Sequence, residues 1–147
     1  MKVLIQRSAG AQDLPLPAYM SAGAAGMDLS AHVTLPTLIP PMGRAAIPLG
    51  FSIALPEGFE AQIRPRSGLA LKHGITTVHG IGTIDSDYRG ELSVLLINLS
   101  NEDYYINRGD RVAQIVISPV TKAEWQEVDD LPDTARGHGG FGSTGKN

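Results

Sequence analysis

The segment FSIALPEGFEAQIR, Phe51–Arg64, contains two short runs in which apolar and polar residues alternate, separated by a turn sequence. Alternation with a period of two is typical of half-buried β-strands, and Pro56 with Gly58 favours a tight turn between them. The segment therefore predicts two strands, at Phe51–Leu55 and Glu60–Arg64.

The rest of the chain repeats this pattern of short alternating runs between turn signals. Its 147 residues include 17 glycines and 10 prolines, which leave little room for helix. One short helix is predicted at Ser67–Lys72, with Ser67 as its cap and Gly74 at its end. The even spacing of the strands predicts an all-β fold, a barrel or a jelly roll. The further predicted strands are Val3–Gln6, Arg44–Pro48, Ile75–Val78, Glu91–Asn98, Asp103–Ile106, Arg111–Ser118 and Glu124–Val128.

Composition limits the kinds of site that the chain can carry. A chain of this length fits one domain and can bury about 68–70% of its unfolded surface. The sequence has no cysteine, which excludes disulfides, thiolate zinc sites and cysteine nucleophiles, and its four histidines lack metal-ligand spacing. We assign residues 1–133 to the β-barrel domain and residues 134–147 to a glycine-rich tail of the same domain.

Charge and hydropathy limit the partners. The net charge of −3 gives no electrostatic footprint for nucleic acid or for an anionic lipid surface. The first ten residues, MKVLIQRSAG, are too weakly apolar for a signal peptide, and no later segment resembles a membrane span. We therefore expect a soluble, cytoplasmic protein that binds neither nucleic acid nor membrane.

The segment GTIDSDYRGE, Gly82–Glu91, has more chemistry than a turn requires. A tight turn needs one or two residues that tolerate positive φ, whereas this segment also carries carboxylates, a phenol and a guanidinium. An ordinary polar loop with one Asx turn is the simpler alternative. The density of polar groups indicates a site, and Asp85 and Tyr88 are among its candidate residues.

Two other segments have the chemistry of phosphate binding. In PRSG, Pro65–Gly68, the hydroxyl of Ser67 and the following N–H groups suit an anion, and Arg66 adds positive charge. The tail Thr134–Asn147, TARGHGGFGSTGKN, combines glycines with hydroxyls and with Arg136, as a phosphate clamp requires. A helix cap and a frayed terminus are the simpler readings. Ordering such a tail costs about 1–2 kcal/mol per residue, so we expect the unbound tail to be flexible.

Five blocks of the sequence, taken together and in order, closely resemble the five motifs of the trimeric dUTP diphosphatase (dUTPase) family. The similarity covers nearly the whole chain, and five ordered blocks leave little room for coincidence. The blocks are AGMDLSA (Ala25–Ala31), PRSGLA (Pro65–Ala70), GTIDSDYRGE (Gly82–Glu91), GDRVAQIV (Gly109–Val116) and RGHGGFGSTG (Arg136–Gly145).

The resemblance implies a jelly-roll-like β-barrel subunit and a homotrimer with three active sites between subunits. One subunit would offer a hairpin at Val78–Tyr88 as the pocket for uracil and deoxyribose. A second would bring PRSG to the phosphates, and a third would lend its tail. The implied reaction is hydrolysis of dUTP to dUMP and pyrophosphate, which limits uracil in DNA and supplies dUMP for thymidylate synthesis.

Family resemblance also implies the roles of individual residues. Asp85 would be the general base for water that attacks the α-phosphorus, and the Tyr88 ring would exclude a ribose 2′-hydroxyl. Mg²⁺ would bridge the phosphates, with Asp28 and Gln114 in its outer shell through water. The residues assigned to the phosphates are Arg66, Ser67, Gly68, Arg136, Gly142, Ser143 and Thr144, while Phe141 would cover the base.

Base selectivity is assigned to main-chain groups near His79, Thr83, Ile84 and Asp85. A fixed order of donors and acceptors distinguishes uracil from cytosine, and a close-packed wall excludes the methyl group of thymine. The chain departs from the family at His79, where asparagine is common. We expect the backbone to carry the recognition, so that the histidine is tolerated.

Two other functions remain compatible with a nucleotide site. A dCTP deaminase of related fold would bind a pyrimidine triphosphate but would act on the cytosine ring; release of ammonia from dCTP would identify it. A catalytically silent nucleotide-binding trimer would bind dUTP without releasing pyrophosphate. The aspartate in TIDSDYRG and the five intact blocks favour the hydrolase over both.

Overall fold

The structure of the chain is a computed structural model that describes residues 1–140. It confirms the all-β, jelly-roll-like fold with one short helix. No helix in the described residues is long and apolar enough to cross a membrane. The elements are β1 (Leu4–Arg7), β2 (Ala18–Tyr19), β3 (Met27–Ser30), β4 (Thr37–Ile39), β5 (Arg44–Pro48), β6 (Phe51–Ala54), β7 (Phe59–Arg64), α1 (Ser67–His73), β8 (Ile75–Thr77), β9 (Gly82–Ile84), β10 (Ser93–Asn98), β11 (Tyr104–Ile106) and β12 (Arg111–Pro119).

The strands form four antiparallel sheets around one core. The largest sheet has the order β2-β3-β12-β7-β9, and a three-stranded sheet has the order β5-β10-β8. Two pairs, β1-β6 and β11-β4, complete the barrel. Every sheet contributes buried side chains to a single cluster, as strand alternation requires, with Leu29, Ile39, Ile53 and Leu96 as examples.

Most predicted strands lie within two residues of observed ones, but the strand predicted at Glu124–Val128 is wrong. That segment has no sheet partner in the described residues, and Trp125 in its middle is 97% exposed. Residue preference alone cannot make a strand, because the ladder hydrogen bonds need a neighbour. The structure also contains β2, β3, β4 and β9, which were not predicted; each has four residues or fewer.

The N-cap of helix α1 lies one residue before the predicted cap. Arg66 is the N-cap, and no side chain caps the helix there. Ser67 is instead the first helical residue, so its predicted capping role is wrong. The predicted end is confirmed: Gly74 adopts φ 66° and its N–H bonds back to Ala70, a conformation that glycine accepts without strain.

Candidate active site

The loop after β9 connects two different sheets. β9 pairs with β7 in the five-stranded sheet, whereas β10, the next strand in the chain, pairs with β5 and β8. Because β9 and β10 diverge, a cleft of about 430 Å³ opens between them. The residues that line it are Ile63, His79, Gly82, Thr83, Ile84, Asp85, Tyr88, Glu91, Leu92, Ser93, Val94 and Leu95.

This arrangement corrects the expected hairpin at Val78–Tyr88. β8 belongs to the three-stranded sheet and β9 to the five-stranded sheet, so the two strands are not paired with each other. They are joined by a turn in which the N–H of Gly80, at φ 77°, lies 3.5 Å from the oxygen of Thr77. The predicted pocket residues still come together, but they do so at a junction between sheets.

Asp85 lies directly after β9, at the mouth of the cleft. Its side chain is exposed and makes no hydrogen bond or ion pair within residues 1–140. Its main-chain oxygen accepts a hydrogen bond from the N–H of Tyr88, at 3.2 Å, which closes the first turn of the loop. The backbone therefore holds the residue in place while the carboxylate remains available to a ligand or to water.

Tyr88 lies beside Asp85 and is packed against the end of its own loop. Its ring lies over Gly90, where an added Cβ would be 2.5 Å from the ring carbon Cζ. Its hydroxyl donates a hydrogen bond to the main-chain oxygen of Glu91, at 3.3 Å. The ring thus forms a wall of the cleft while 45% of the residue stays exposed.

The main-chain groups predicted to recognise the base lie on an edge strand of the sheet, β9. β9 is the last strand of its sheet, so one edge of Gly82–Ile84 has no strand beside it in the part of the chain that the structure describes. Such an edge presents main-chain N–H and C=O groups to the cleft. The imidazole of His79 lies over Gly82, with Nε2 3.2 Å from the position of an added Cβ. The histidine therefore borders the cleft without covering the whole edge.

Asp28 and Gln114 lie together elsewhere on the five-stranded sheet. They are directly opposite each other on β3 and β12. The carboxylate of Asp28, with 17% of its side chain exposed, accepts a hydrogen bond from Arg111 at 2.9 Å and lies 3.5 Å from Nε of Arg66. Gly26 leaves room for the amide of Gln114, since a Cβ there would lie 2.8 Å from its oxygen.

Within one chain, the cleft around Asp85 is well separated from the pair Asp28 and Gln114. Arg64 lies opposite Gln114 on β7, and Ala61 on the same strand lies opposite Ile84. Asp28 is therefore about four residues along the sheet and three strands across from Asp85. With about 3.4 Å per residue and about 4.8 Å per strand, their separation is roughly 20 Å. One chain thus presents two partial sites.

The PRSG segment is close to Asp28 and far from Asp85. Arg66 donates a hydrogen bond to the main-chain oxygen of Arg111 at 2.8 Å, in addition to its contact with Asp28. Ser67 and Gly68 are exposed in the first turn of α1, and no described atom lies within 4 Å of a Cβ placed on Gly68. Backbone N–H groups in this first turn are open to an anion.

The described part of the tail, residues 134–140, has no hydrogen bond to the cleft residues or to the Asp28 region. In residues 134–140, Arg136 donates to the oxygen of Gly139 at 2.7 Å, and Gly137 bonds back to Thr134 at 3.0 Å. These hydrogen bonds stay within the turn itself. The other predicted tail residues, Phe141, Gly142, Ser143 and Thr144, lie outside the described residues.

The donor set near Asp28 limits the kind of metal site. Within residues 1–140, no group of three or more His, Cys, Asp or Glu side chains is arranged to hold a metal ion. Both oxygens of Asp28 already face arginines, and Gln114 adds one neutral amide oxygen. Such donors suit a hydrated Mg²⁺ whose other ligands come from phosphates, and they do not suit an all-protein cage.

Several residues of the cleft were not predicted from the sequence. Leu92–Leu95 form the wall opposite β9, and Gly90 and Glu91 support Tyr88. Gly90 carried a usable signal, because a glycine two residues after an aromatic side chain permits the ring to fold back over it. The wall formed by β10 had no such signal, since its sequence is that of an ordinary strand.

Comparison with known proteins identifies the family. The dUTPase family model matches residues 12–145. The "Deoxyuridine 5'-triphosphate nucleotidohydrolase" of Caulobacter vibrioides is 54% identical over 99% of this chain and 95% of its own length. Two solved structures at 22% identity share the fold. The first is a mutant of the Staphylococcus bacteriophage 80alpha dUTPase with dUpNHpp; its TM-score is 0.87, and the match covers 99% of each chain. The second is a mutant dUTPase from phage phi11 of S. aureus, described with a structural Mg(II) ion; its TM-score is 0.78, and the match covers 89% of this chain and 99% of that one. The chain is therefore an enzyme of the dUTPase family.

Proposed function

We propose that the chain hydrolyses dUTP to dUMP and pyrophosphate, with Asp85 activating the water that attacks the α-phosphorus. The observation that carries this proposal is the position of Asp85, an exposed carboxylate without a side-chain partner in residues 1–140, at the mouth of a cleft. A general base needs this availability, because it must reach water and accept its proton. The name of the Caulobacter relative supports the substrate.

The cleft suits a deoxyuridine. The open edge of Gly82–Ile84 offers main-chain donors and acceptors to uracil, and a base that presents the wrong order leaves buried groups unpaired. The Tyr88 ring would lie against the deoxyribose and crowd a 2′-hydroxyl. A cleft of about 430 Å³ is within the usual range for small-molecule sites.

The complete site would form in a homotrimer. Within one chain, Asp28 lies roughly 20 Å from Asp85 by sheet geometry and is in contact with Arg66, so one molecule cannot place both groups on the same phosphates. A second subunit would supply Arg66, Ser67 and Gly68. A third would supply its tail, with Arg136, Phe141, Gly142, Ser143 and Thr144.

Mg²⁺ is the proposed cofactor. Bound to the phosphates, it would neutralise charge that builds up during the displacement. The oxygens of Asp28 and Gln114 would hold its water shell, and Arg66 and Arg111 fix the orientation of Asp28. We also propose the metabolic role of the product: removal of dUTP limits uracil in DNA, and dUMP feeds thymidylate synthesis.

Isotope labelling tests the reaction directly. In water enriched in ¹⁸O, attack on the α-phosphorus puts the label in dUMP, whereas attack on the β-phosphorus puts it in pyrophosphate. The assay compares dUTP, dCTP, dTTP and UTP, with Mg²⁺ and with EDTA. We expect label in dUMP, a strong preference for dUTP, and loss of turnover in EDTA. Ammonia from dCTP, or label in pyrophosphate, would refute the proposed reaction.

The Asp85→Asn variant tests the assigned base. We expect it to fold and to bind dUTP, while its turnover falls about 10²–10⁴-fold, the usual contribution of a general base. Asp103→Asn is a matched control, because Asp103 is also exposed and has no side-chain partner in the described residues. Equal turnover in the two variants would remove Asp85 from the mechanism.

A further inference from the structure

Glu91 connects the loop of Asp85 and Tyr88 to two distant parts of the barrel. Its carboxylate oxygen Oε1 accepts a hydrogen bond from the N–H of Gly50, at 3.1 Å, across 41 residues of sequence. The same oxygen lies 3.6 Å from Nδ1 of His32. Gly50 lies between β5 and β6, and His32 follows β3. One carboxylate therefore holds together three separate segments.

Gly50, whose N–H donates to the Glu91 carboxylate, lies in a tightly packed position. Gly50 has φ 77°, and a Cβ there would lie 2.9 Å from both Cγ of His32 and Cβ of Ala11. Only glycine fits this position, so the imidazole lies against bare backbone. The residue after Glu91 is equally fixed: Leu92 is 1% exposed and its N–H donates to the oxygen of Phe51 at 2.9 Å.

The backbone of Glu91 in turn supports Tyr88. The phenol hydroxyl donates to the main-chain oxygen of Glu91 at 3.3 Å, and the ring covers Gly90. Tyr88 is 45% exposed, and within residues 1–140 its hydroxyl makes one hydrogen bond, the one to Glu91. The position of the ring therefore depends on where residues 90 and 91 are held.

We propose that Glu91 is a positioning residue whose carboxylate fixes the backbone under Tyr88 and thereby sets the preference for deoxyribose over ribose. The inference rests on the proposed function, in which Tyr88 lies against the sugar. Glu91 itself touches no reacting atom in this scheme. Its anchor is the N–H of Gly50, so the support does not require a charged His32.

Kinetics with dUTP and UTP test the inference. Glu91→Ala removes the anchor, and we expect the ratio of kcat/KM for dUTP to that for UTP to fall about tenfold, with a higher KM for dUTP. Glu91→Gln keeps an oxygen that can accept from Gly50, and its ratio should stay within about twofold of the unaltered chain. A purely structural role would lower kcat/KM for both substrates by the same factor and leave the ratio unchanged.

Control variants separate the possible failures. Glu102→Ala, at an exposed glutamate whose side chain has no partner in residues 1–140, should leave the ratio unchanged. If Tyr88→Ala lowers the ratio and Glu91→Ala does not, the inference is overturned and the proposed function stands. If Tyr88→Ala leaves the ratio unchanged, the proposed sugar contact itself is wrong. Should Glu91→Ala fail to fold, Tyr88→Phe removes the hydrogen bond from the hydroxyl to the main-chain oxygen of Glu91 and leaves the carboxylate in place, and an unchanged ratio there overturns the inference.

Discussion

The ring of Tyr88 lies so close over Gly90 that one added methyl group would stand 2.5 Å from the ring carbon Cζ. Gly90 is not among the glycines with positive φ, so its backbone tolerates a larger residue and only the ring excludes one. We expect Gly90→Ala to fold, to displace the ring and to lower kcat/KM for dUTP about tenfold, because small displacements at a site are costly.

The control for this variant is Gly23→Ala. Gly23 also lacks a positive φ, and no described atom lies within 4 Å of a Cβ placed there. It should retain the kinetics and the melting temperature of the unaltered chain. Full activity of Gly90→Ala would show that the site does not depend on this position of the ring.

His79→Ala tests whether the backbone reads the base. The imidazole borders the cleft over Gly82, while the main-chain edge of β9 is open beside it. We expect the preference for dUTP over dCTP to stay within about threefold of the unaltered value, since recognition by main-chain groups survives loss of the side chain. The control is His73→Ala, which should keep the preference for dUTP over dCTP. Loss of this preference in His79→Ala alone would assign recognition to the imidazole of His79.

Removal of residues 134–147 tests the tail. The described part of the tail makes hydrogen bonds only within its own turn, so the barrel loses few of the described contacts when the tail is deleted. We expect turnover to fall about 100-fold or more while the melting temperature changes little, because closure over the triphosphate is lost. Turnover equal to that of the full chain would exclude the tail from the mechanism.

Asn98 anchors the loop between β10 and β11. Its fully buried amide donates to the oxygens of Ile39 and Glu102, at 2.8 and 2.7 Å, and accepts from the N–H and hydroxyl of Ser100. Asn98→Ala leaves buried groups without partners, so we expect the free energy of unfolding to fall by about 2–4 kcal/mol. Denaturant titration measures this change, and Asn101→Ala, at an exposed neighbour, should show almost none of it.

The ion pair between Asp13 and Arg108 predicts a dependence of stability on pH. Arg108 donates hydrogen bonds to both oxygens of Asp13, at 3.0 and 2.6 Å, and these hydrogen bonds lower the pKa of Asp13 below its ordinary 3.8. A carboxyl group with a lower pKa in the folded state stabilises the fold above the unfolded pKa. That stabilisation is lost as the pH falls through the lower, folded pKa.

Melting temperatures of the unaltered chain and of Asp13→Asn test this prediction. We expect the unaltered chain to have a slightly higher melting temperature than Asp13→Asn at pH 7. This difference should shrink as the pH falls below about 4. The comparison cancels the effect of the other carboxylates, which titrate in both proteins. A difference that stays constant down to a pH of about 2.5 would show that the ion pair does not contribute in this way.

The long alternating strands could be predicted from the sequence, because the order of apolar and polar residues within each one indicates which positions are buried and which are exposed. β9 could not, since three residues of Gly82–Ile84 become a strand only through their ladder with Ala61–Ile63 on β7. The opposite error occurred at Glu124–Val128, a segment predicted as a strand that has no partner strand among the described residues.

The candidate site shows the same division between local and distant information. His79, Asp85 and Tyr88 are close in sequence, and their meeting in one cleft could be expected. The contacts of Glu91 with Gly50 and His32 join segments 41 and more residues apart, and no local pattern indicates them. The separation of Asp28 from Asp85 likewise follows from sheet order, which motif spacing does not specify.

The edge of β9 that has no neighbouring strand within residues 1–140 has a cost for solubility. Proteins usually protect such an edge with lysine, proline or a covering segment, because a bare edge can recruit a strand from another molecule and begin aggregation. Here the edge must stay accessible if a small planar ring is to bind there. Its shortness, three residues, is the remaining protection: it offers too few hydrogen bonds to retain a foreign strand.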